Sequence, residues 1–354
     1  MTLNDWRPLE GVTVVDFTRM APGGTATLML ADLGATVHKI EHPSGDDTRH
    51  LKPSVGDNSS AQHQYMDRGK LSITADLKNA DDLARVRALV RDADAVIESF
   101  RPRVADRLGI GYRDLSAINP SLVYVSLSGY GQYGERSATA GHDLNFVGYA
   151  GLLGESVPRT LMADVTGGIL AALALVSGVA RARHDGTPAH VDLALADAAL
   201  VFGGMQLAEA LASRTLGVEV DTPLDGRSPC YQVYRCADGR SLAVAAIEPK
   251  FWRRTLTLMG CEEWMDRQGD PSLIPEFAAV IASQPQSYWL ELLVDPETCV
   301  TPVLAPDDLL GDVQARARAS VRQYDSAAGP LWQVASPFRT IDMTANLAVH
   351  QSAR

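Results

Sequence analysis

Strand-like and helix-like segments alternate through roughly the first third of the chain, and this alternation limits the possible folds more than any other feature. GVTVVDF (11–17) is an apolar, β-branched run, APGG follows as a turn, and TATLMLADLG carries a helical pattern that stops at Gly34. ATVHKIE is a second strand. The unit is β-α-β, and its crossover is right-handed when the two strands share a parallel sheet. A helix near Ala80 to Arg91, the strand ADAVIESF, a helical VADRLGIG and the strand SLVYVSLSGYG continue the alternation. The expectation is a doubly wound α/β domain.

After Gly141 the helices become rich in small residues, in TGGILAALALVSGVARAR and in ALADAALVFGGMQLAEALA around Met205, a composition suited to buried or intersubunit packing. The apolar stretch from Ile169 to Ala180 is interrupted by Ser177 and followed at once by Arg181. It is too short to span a bilayer and is expected to be a buried helix. From about Leu224, short strands (CYQVYRC, and RSLAVAAIE after Asp238 and Gly239) precede further helices, which marks a smaller second domain. A polar, turn-rich stretch over 318–330 has the character of a linker.

The bulk properties exclude several function classes. A chain of 354 residues has room for about two domains, and its 46% hydrophobic and 21% charged composition is that of a globular protein. The formal net charge of -11 disfavours nucleic acid and anionic membrane as partners, since both require a basic surface. MTLNDWRPLEG has no signal-peptide pattern, so the cytoplasm is the expected location. Cys230, Cys236, Cys261 and Cys299 lack the spacing of a zinc or redox motif, and no metal site is expected.

Four segments have side chains suited to chemistry, and each also has a purely structural explanation. In APGGTA, backbone N–H groups between a strand and a helix suit a phosphate, but GxGxxG is absent and a tight packing turn explains the glycines as well. AGHDLNF holds His142, Asp143 and Asn145: an acid/base histidine, or a capped helix start. In LMADVTGG, Asp164 opens a helix whose dipole lowers its pKa while an apolar pocket would raise it, and Gly167-Gly168 would let a ligand approach closely. In AAIEPKF, Glu248 precedes a Pro-started helix, a common place for a solvated cap. Lys39, Lys78, Arg101 and Arg107 lie near strand ends of the first domain, where surface charge is the simplest explanation for each alone.

Taken in order, LADLGATVHKIEHP, ITADLK, ESFRPRVADRLGIG, NPSLVYVSLSGYGQYG, AGHDLNF, LMADVTGG, GTPAHVDLALADA, YRCADGRSLAVAAIEPKF and CVTPVL resemble the class III CoA-transferase (CaiB/BaiF) superfamily, and within it the α-methylacyl-CoA racemases. The resemblance covers nearly the whole chain. It implies a Rossmann-like large domain at 1–192 completed by 336–354, a linker helix at 193–224, a small α+β domain at 225–304 and a returning linker at 305–335. It further implies an interlocked homodimer and a place in fatty acid metabolism.

On the matching positions, His142 and Asp164 are implied as the two acid/base groups on opposite faces of the α-carbon. Glu248 is implied to orient the histidine from the partner subunit, Tyr231 to stand in the pocket, and the backbone N–H of Asp143 to stabilise an enolate. The ADP part of CoA would lie near Lys39, Ala75, Lys78, Arg101 and Arg107. The implied partner is an acyl-CoA thioester, with no cofactor beyond the CoA of the substrate. The superfamily's transferases use the equivalent aspartate as a nucleophile. The histidine of GHD, and DGRSPCY in place of a glycine-run loop, resemble the racemases instead. Two positions depart from the racemase pattern: the stretch between His142 and Asp164 is short, and Thr160 stands where an asparagine is frequent.

Overall fold

A computed structural model describes residues 3–56, 58–154, 156–219, 223–326 and 328–341. Contacts divide the chain into two units, Met1–Ala208 with Ala317–Arg354, and Glu209–Arg316.

The first unit is built on six parallel strands: β1 (Thr13–Phe17), β2 (Thr36–Glu41), β3 (Leu71–Thr74), β4 (Ala95–Glu98), β5 (Val123–Ser128) and β6 (Ala189–Ala194), in the spatial order β3-β2-β1-β4-β5-β6. Registers such as Val14 beside Val37 and Ala95 put alternate residues on opposite faces. Val14, Ile97, Val125 and Leu127 enter one core, and Val15, Val96 and Tyr124 enter the other. Both faces are therefore covered, and the strands read as continuous apolar runs. This is the expected doubly wound order, whose switch point lies between β1 and β4.

Helices α1 (Met20–Asp32), α2 (Asp143–Tyr149), α3 (Met162–Asp185) and α4 (Leu195–Phe202) belong to the first core. Helix α3 extends beyond the apolar run read from sequence. At 24 residues it is long and apolar enough by composition to cross a membrane, but it places Gly167, Ala171, Leu175 and Val179 inward as a core helix of this layer. The Gly167-Gly168 pair corrects an expectation. A Cβ on Gly167 would lie 2.4 Å from Leu195, and one on Gly168 would lie 2.6 Å from the Pro22 carbonyl oxygen. Protein atoms fill that space, so the glycines serve helix packing and leave no room for ligand approach.

Residues 193–208, expected in a linker, lie in this unit, and α4 buries Leu195, Ala198 and Ala199. Part of the expected returning linker also belongs here, as an antiparallel hairpin of Val321–Tyr324 with Leu331–Val334. Arg68 anchors it, donating to the Gln333 side chain (3.0 Å) and the Val334 carbonyl (2.9 Å) while its guanidinium sits over the Tyr324 ring. Leu3–Asp5 then pairs with Arg339–Ile341. The remainder of the expected completing tail, 342–354, lies outside the described residues.

The second unit carries a three-stranded antiparallel sheet of β7 (Tyr231–Arg235), β8 (Ser241–Ala245) and β9 (Val300–Val303), ordered β9-β8-β7. Its core gathers Trp252, Leu256, Phe277 and Trp289 from the following helices. Helix α5 (Pro249–Met259) has Pro249 in its first turn and ends at Gly260 with φ +69.

Candidate active site

In doubly wound sheets, ligands bind outside the carboxyl ends of the strands at the switch point. A cavity of about 630 Å³ lies there, lined by Arg19 and Met20 after β1, by Ser99 to Pro102 after β4, and by Ser128 and Gly129 at the end of β5. His142, Asp143 and Asp164 line the same cavity.

These three side chains come together because two helices begin side by side. His142 is the N-cap of α2, in extended conformation, and Asn145 Oδ1 accepts its backbone N–H at 3.0 Å. Its imidazole therefore has no capping duty, and the residue is exposed. Asp143, 7% exposed, turns across to the neighbouring helix, where its Oδ1 accepts the N–H of Asp164 at 2.9 Å. Asp143 is thus a cap, but for α3 and not for its own helix.

Asp164 is free of that duty and half-buried. Burial raises its carboxyl pKa to about 6, the negative charge of Asp143 adds to the rise, and His142 works against it. A carboxyl poised near neutrality beside a histidine is suited to proton transfer. Glu98, buried at the end of β4, is likewise pushed up to about 7 by desolvation and accepts the Phe100 N–H at 2.7 Å, which fixes the strand-end loop that carries Arg101.

The other expected residues of the first unit divide into those that line a cavity, one on the outer surface and one turned inward. Arg101 lines the main cavity, while Ala75 and Lys78 line a second cavity of about 160 Å³ that shares Arg19 and Phe100 with the first. Arg107 is exposed on the short helix Val104–Arg107 and lines neither. Lys39 is turned inward, 2% exposed, with its ammonium donating to the Thr18 carbonyl at 2.6 Å and facing Asp46 at 3.4 Å and Asp16 at 3.9 Å. Those carboxylates outweigh desolvation and raise its pKa, so it stays charged.

Glu248 and Tyr231 belong to the second unit, Glu248 as the N-cap of α5 with no side-chain capping bond and Tyr231 half-buried at the start of β7. Sequence reasoning missed Arg19, Met20 and Glu98. Their signal was position, since each ends or follows a strand beside the switch point.

A family model described as CoA-transferase family III matches residues 9–351. Human alpha-methylacyl-CoA racemase is 30% identical over 326 residues, spanning 88% of this chain and 82% of that protein. The acetyl-CoA:oxalate CoA-transferase of Acetobacter aceti is 29% identical over 334 residues, spanning 88% and 84%. The crystal structure of a CAIB/BAIF family protein from Brucella suis superposes with a TM-score of 0.79 at 28% identity, covering 95% of this chain and 93% of that one.

Proposed function

The chain belongs to CoA-transferase family III, and within that family we propose that it is a racemase of 2-methylacyl-CoA thioesters. The observation that carries the proposal is the pairing of His142 with Asp164 in one cavity, the carboxyl held at about 6. Similarity to the human racemase over 88% of the chain supports it.

The α-proton of a thioester is weakly acidic, so its removal needs a base on one face and stabilisation of the oxyanion that forms. Neutral His142 takes the proton, and the C–H electron pair moves into the enolate. Protonated Asp164 then delivers its proton to the opposite face. The opposite epimer runs the same steps in reverse, from Asp164 carboxylate to imidazolium. The Asp143 backbone N–H is the proposed donor to the enolate oxygen, an interaction worth on the order of 3 kcal/mol. The scheme forms no covalent intermediate and uses no metal or redox cofactor.

The thioester end of CoA occupies the main cavity beside Arg101, and the nucleotide end lies towards Ala75 and Lys78 in the smaller one. Arg107 adds positive charge from the adjoining surface. Lys39 acts from beneath the floor, through the backbone it holds.

Assembly as a homodimer is part of the proposal. Val165, Ile169 and Leu173 form an exposed apolar stripe at helical spacing along α3, and the helix Gly204–Leu216 has no buried residue. Isolated monomers rarely leave such faces uncovered. In the proposed dimer, Glu248 of the partner subunit supports His142, and Tyr231 completes the pocket.

The deciding experiment incubates one 2-methylacyl-CoA epimer in deuterated water. Deuterium uptake at the α-carbon together with epimerisation is expected, and neither occurring at any chain length would sink the reading. Acyl transfer is the second reading, favoured by the Asp164 carboxylate and the Acetobacter aceti relative. In that case hydroxylamine would trap an acyl adduct on Asp164.

A further inference from the structure

Met20 has φ +61, a left-handed conformation that bulky side chains rarely adopt, and it is the residue that brings the chain from β1 into α1 at the cavity wall. Such strain persists only where surrounding contacts over-determine the backbone. Here they do. Asp16, fully buried at the end of β1, accepts the Thr18 N–H (2.8 Å) and hydroxyl (2.6 Å), and its other oxygen accepts the Thr27 hydroxyl (2.6 Å). Lys39 holds the Thr18 carbonyl, and Ser99 Oγ accepts the Arg19 N–H at 2.9 Å. In the first turn of α1 a second lysine with a buried side chain, Lys70, donates to the Gly24 carbonyl at 3.3 Å and pairs with Asp67 at 2.9 Å.

Residues 21–24, expected as a turn, are instead the first turn of α1. The stretch from Thr18 to Gly24 that joins β1 to this helix is thus gripped at both ends by buried lysines and from the side by the loop after β4. The same stretch packs against the helix that carries Asp164. The Pro22 carbonyl fills the space at Gly168, one helical turn beyond Asp164. Gly23 closes the arrangement, since a Cβ there would lie 2.1 Å from the Thr18 side chain. Arg19 and Met20 are consequently fixed at the cavity, and Met20, 41% exposed, presents a flexible thioether on its wall.

We propose that Met20 is a specificity-determining residue, the wall against which the acyl group is sized, and that Asp16, Lys39, Lys70 and Ser99 are positioning residues that hold it left-handed. The inference rests on the acyl-CoA reading of the cavity. Residues near one methylene's worth of pocket wall change substrate discrimination by about 10-fold or more.

The test compares Met20→Gly, Met20→Ala and the unsubstituted protein in α-deuterium exchange with a short straight-chain and a bulky 2-branched acyl-CoA, alongside thermal unfolding. Both variants are expected to shift the kcat/KM ratio towards the bulky substrate by on the order of tenfold. Met20→Gly is expected to unfold at a higher temperature than Met20→Ala, because only glycine tolerates a positive φ without strain. A ratio unchanged within about twofold in folded variants would overturn the role of Met20 while leaving the acyl-CoA reading intact. Alanine more stable than glycine would overturn the clamped left-handed turn. Failure of the unsubstituted protein to bind or turn over any acyl-CoA would overturn the reading on which the inference rests.

Discussion

Asp164 is the residue whose protonation sets the chemistry. With its pKa at about 6, its carboxyl is protonated in acid and cannot act as the base, and above that range it is ionised and cannot act as the acid. The direction of racemisation that begins at Asp164 therefore falls off below about pH 6, and the direction in which Asp164 returns the proton falls off above it. Acyl transfer by Asp164 would show the acid limb alone, because the nucleophile needs only to be ionised. A pH–rate profile of exchange checks this, and Asp164→Asn is expected to abolish the rate.

Lys39 and Lys78 make the complementary case in stability. Lys39→Met leaves Asp46 without its buried cation and Asp16 with Lys70 alone, at 3.7 Å, and is expected to cost about 3–5 kcal/mol, read by chemical denaturation. Lys78 is exposed, so Lys78→Met should stay within about 0.5 kcal/mol while raising KM for the CoA thioester. Equal destabilisation by the two would contradict the inward placement of Lys39. The sequence HKIE shows a lysine at a strand end, where charge normally faces water. Its burial follows from carboxylates at positions 16 and 46, a non-local arrangement that no local pattern reveals.

At the scale of elements, the site depends on two helices that start together, α2 with His142 and α3 with Asp164. One side chain joins them. Asp143 caps α3 through the Asp164 N–H and also raises the Asp164 pKa by its charge. Asn accepts the same hydrogen bond without the charge, so Asp143→Asn should keep the fold and move the acid limb of the pH–rate profile to lower pH. Asp143→Ala loses the cap as well, at about 1 kcal/mol. An unmoved limb in Asp143→Asn would show that the carboxylate does not act on Asp164.

The elements themselves were largely legible. Apolar β-branched runs at regular spacing marked four of the six strands of the parallel sheet, leaving Leu71–Thr74 and Ala189–Ala194 unread, and the GHD and MAD segments pointed to the two helix starts. The sequence left Asp143 open between catalysis and capping, since the helix it caps begins 19 residues later and is brought alongside only by the fold. The docking of the Val321–Tyr324 and Leu331–Val334 hairpin was illegible for the same reason. It depends on Arg68, some 265 residues away in sequence.

For the whole molecule, the question is where the third member of the proposed site comes from. Glu248 caps α5 in the second unit and makes no side-chain capping bond, and α3 leaves Val165, Ile169 and Leu173 uncovered in the first. A dimer in which Glu248 of the partner subunit supports His142 accounts for both features at once. It also makes a prediction that a site built within one chain does not. His142→Ala and Glu248→Ala should each be inactive as homodimers. Unfolded together and refolded as a mixture, they should form heterodimers in which one site has lost both groups and the other has regained both. About half of the assemblies in a random one-to-one mixture are heterodimers, each with one intact site, so roughly a quarter of unsubstituted activity should return. If Glu248 served the histidine of its own chain, every site in the mixture would lack one group and no activity would reappear. Deuterium exchange across a titration of one variant into the other separates the two, since trans complementation peaks at equal proportions and cis action stays flat.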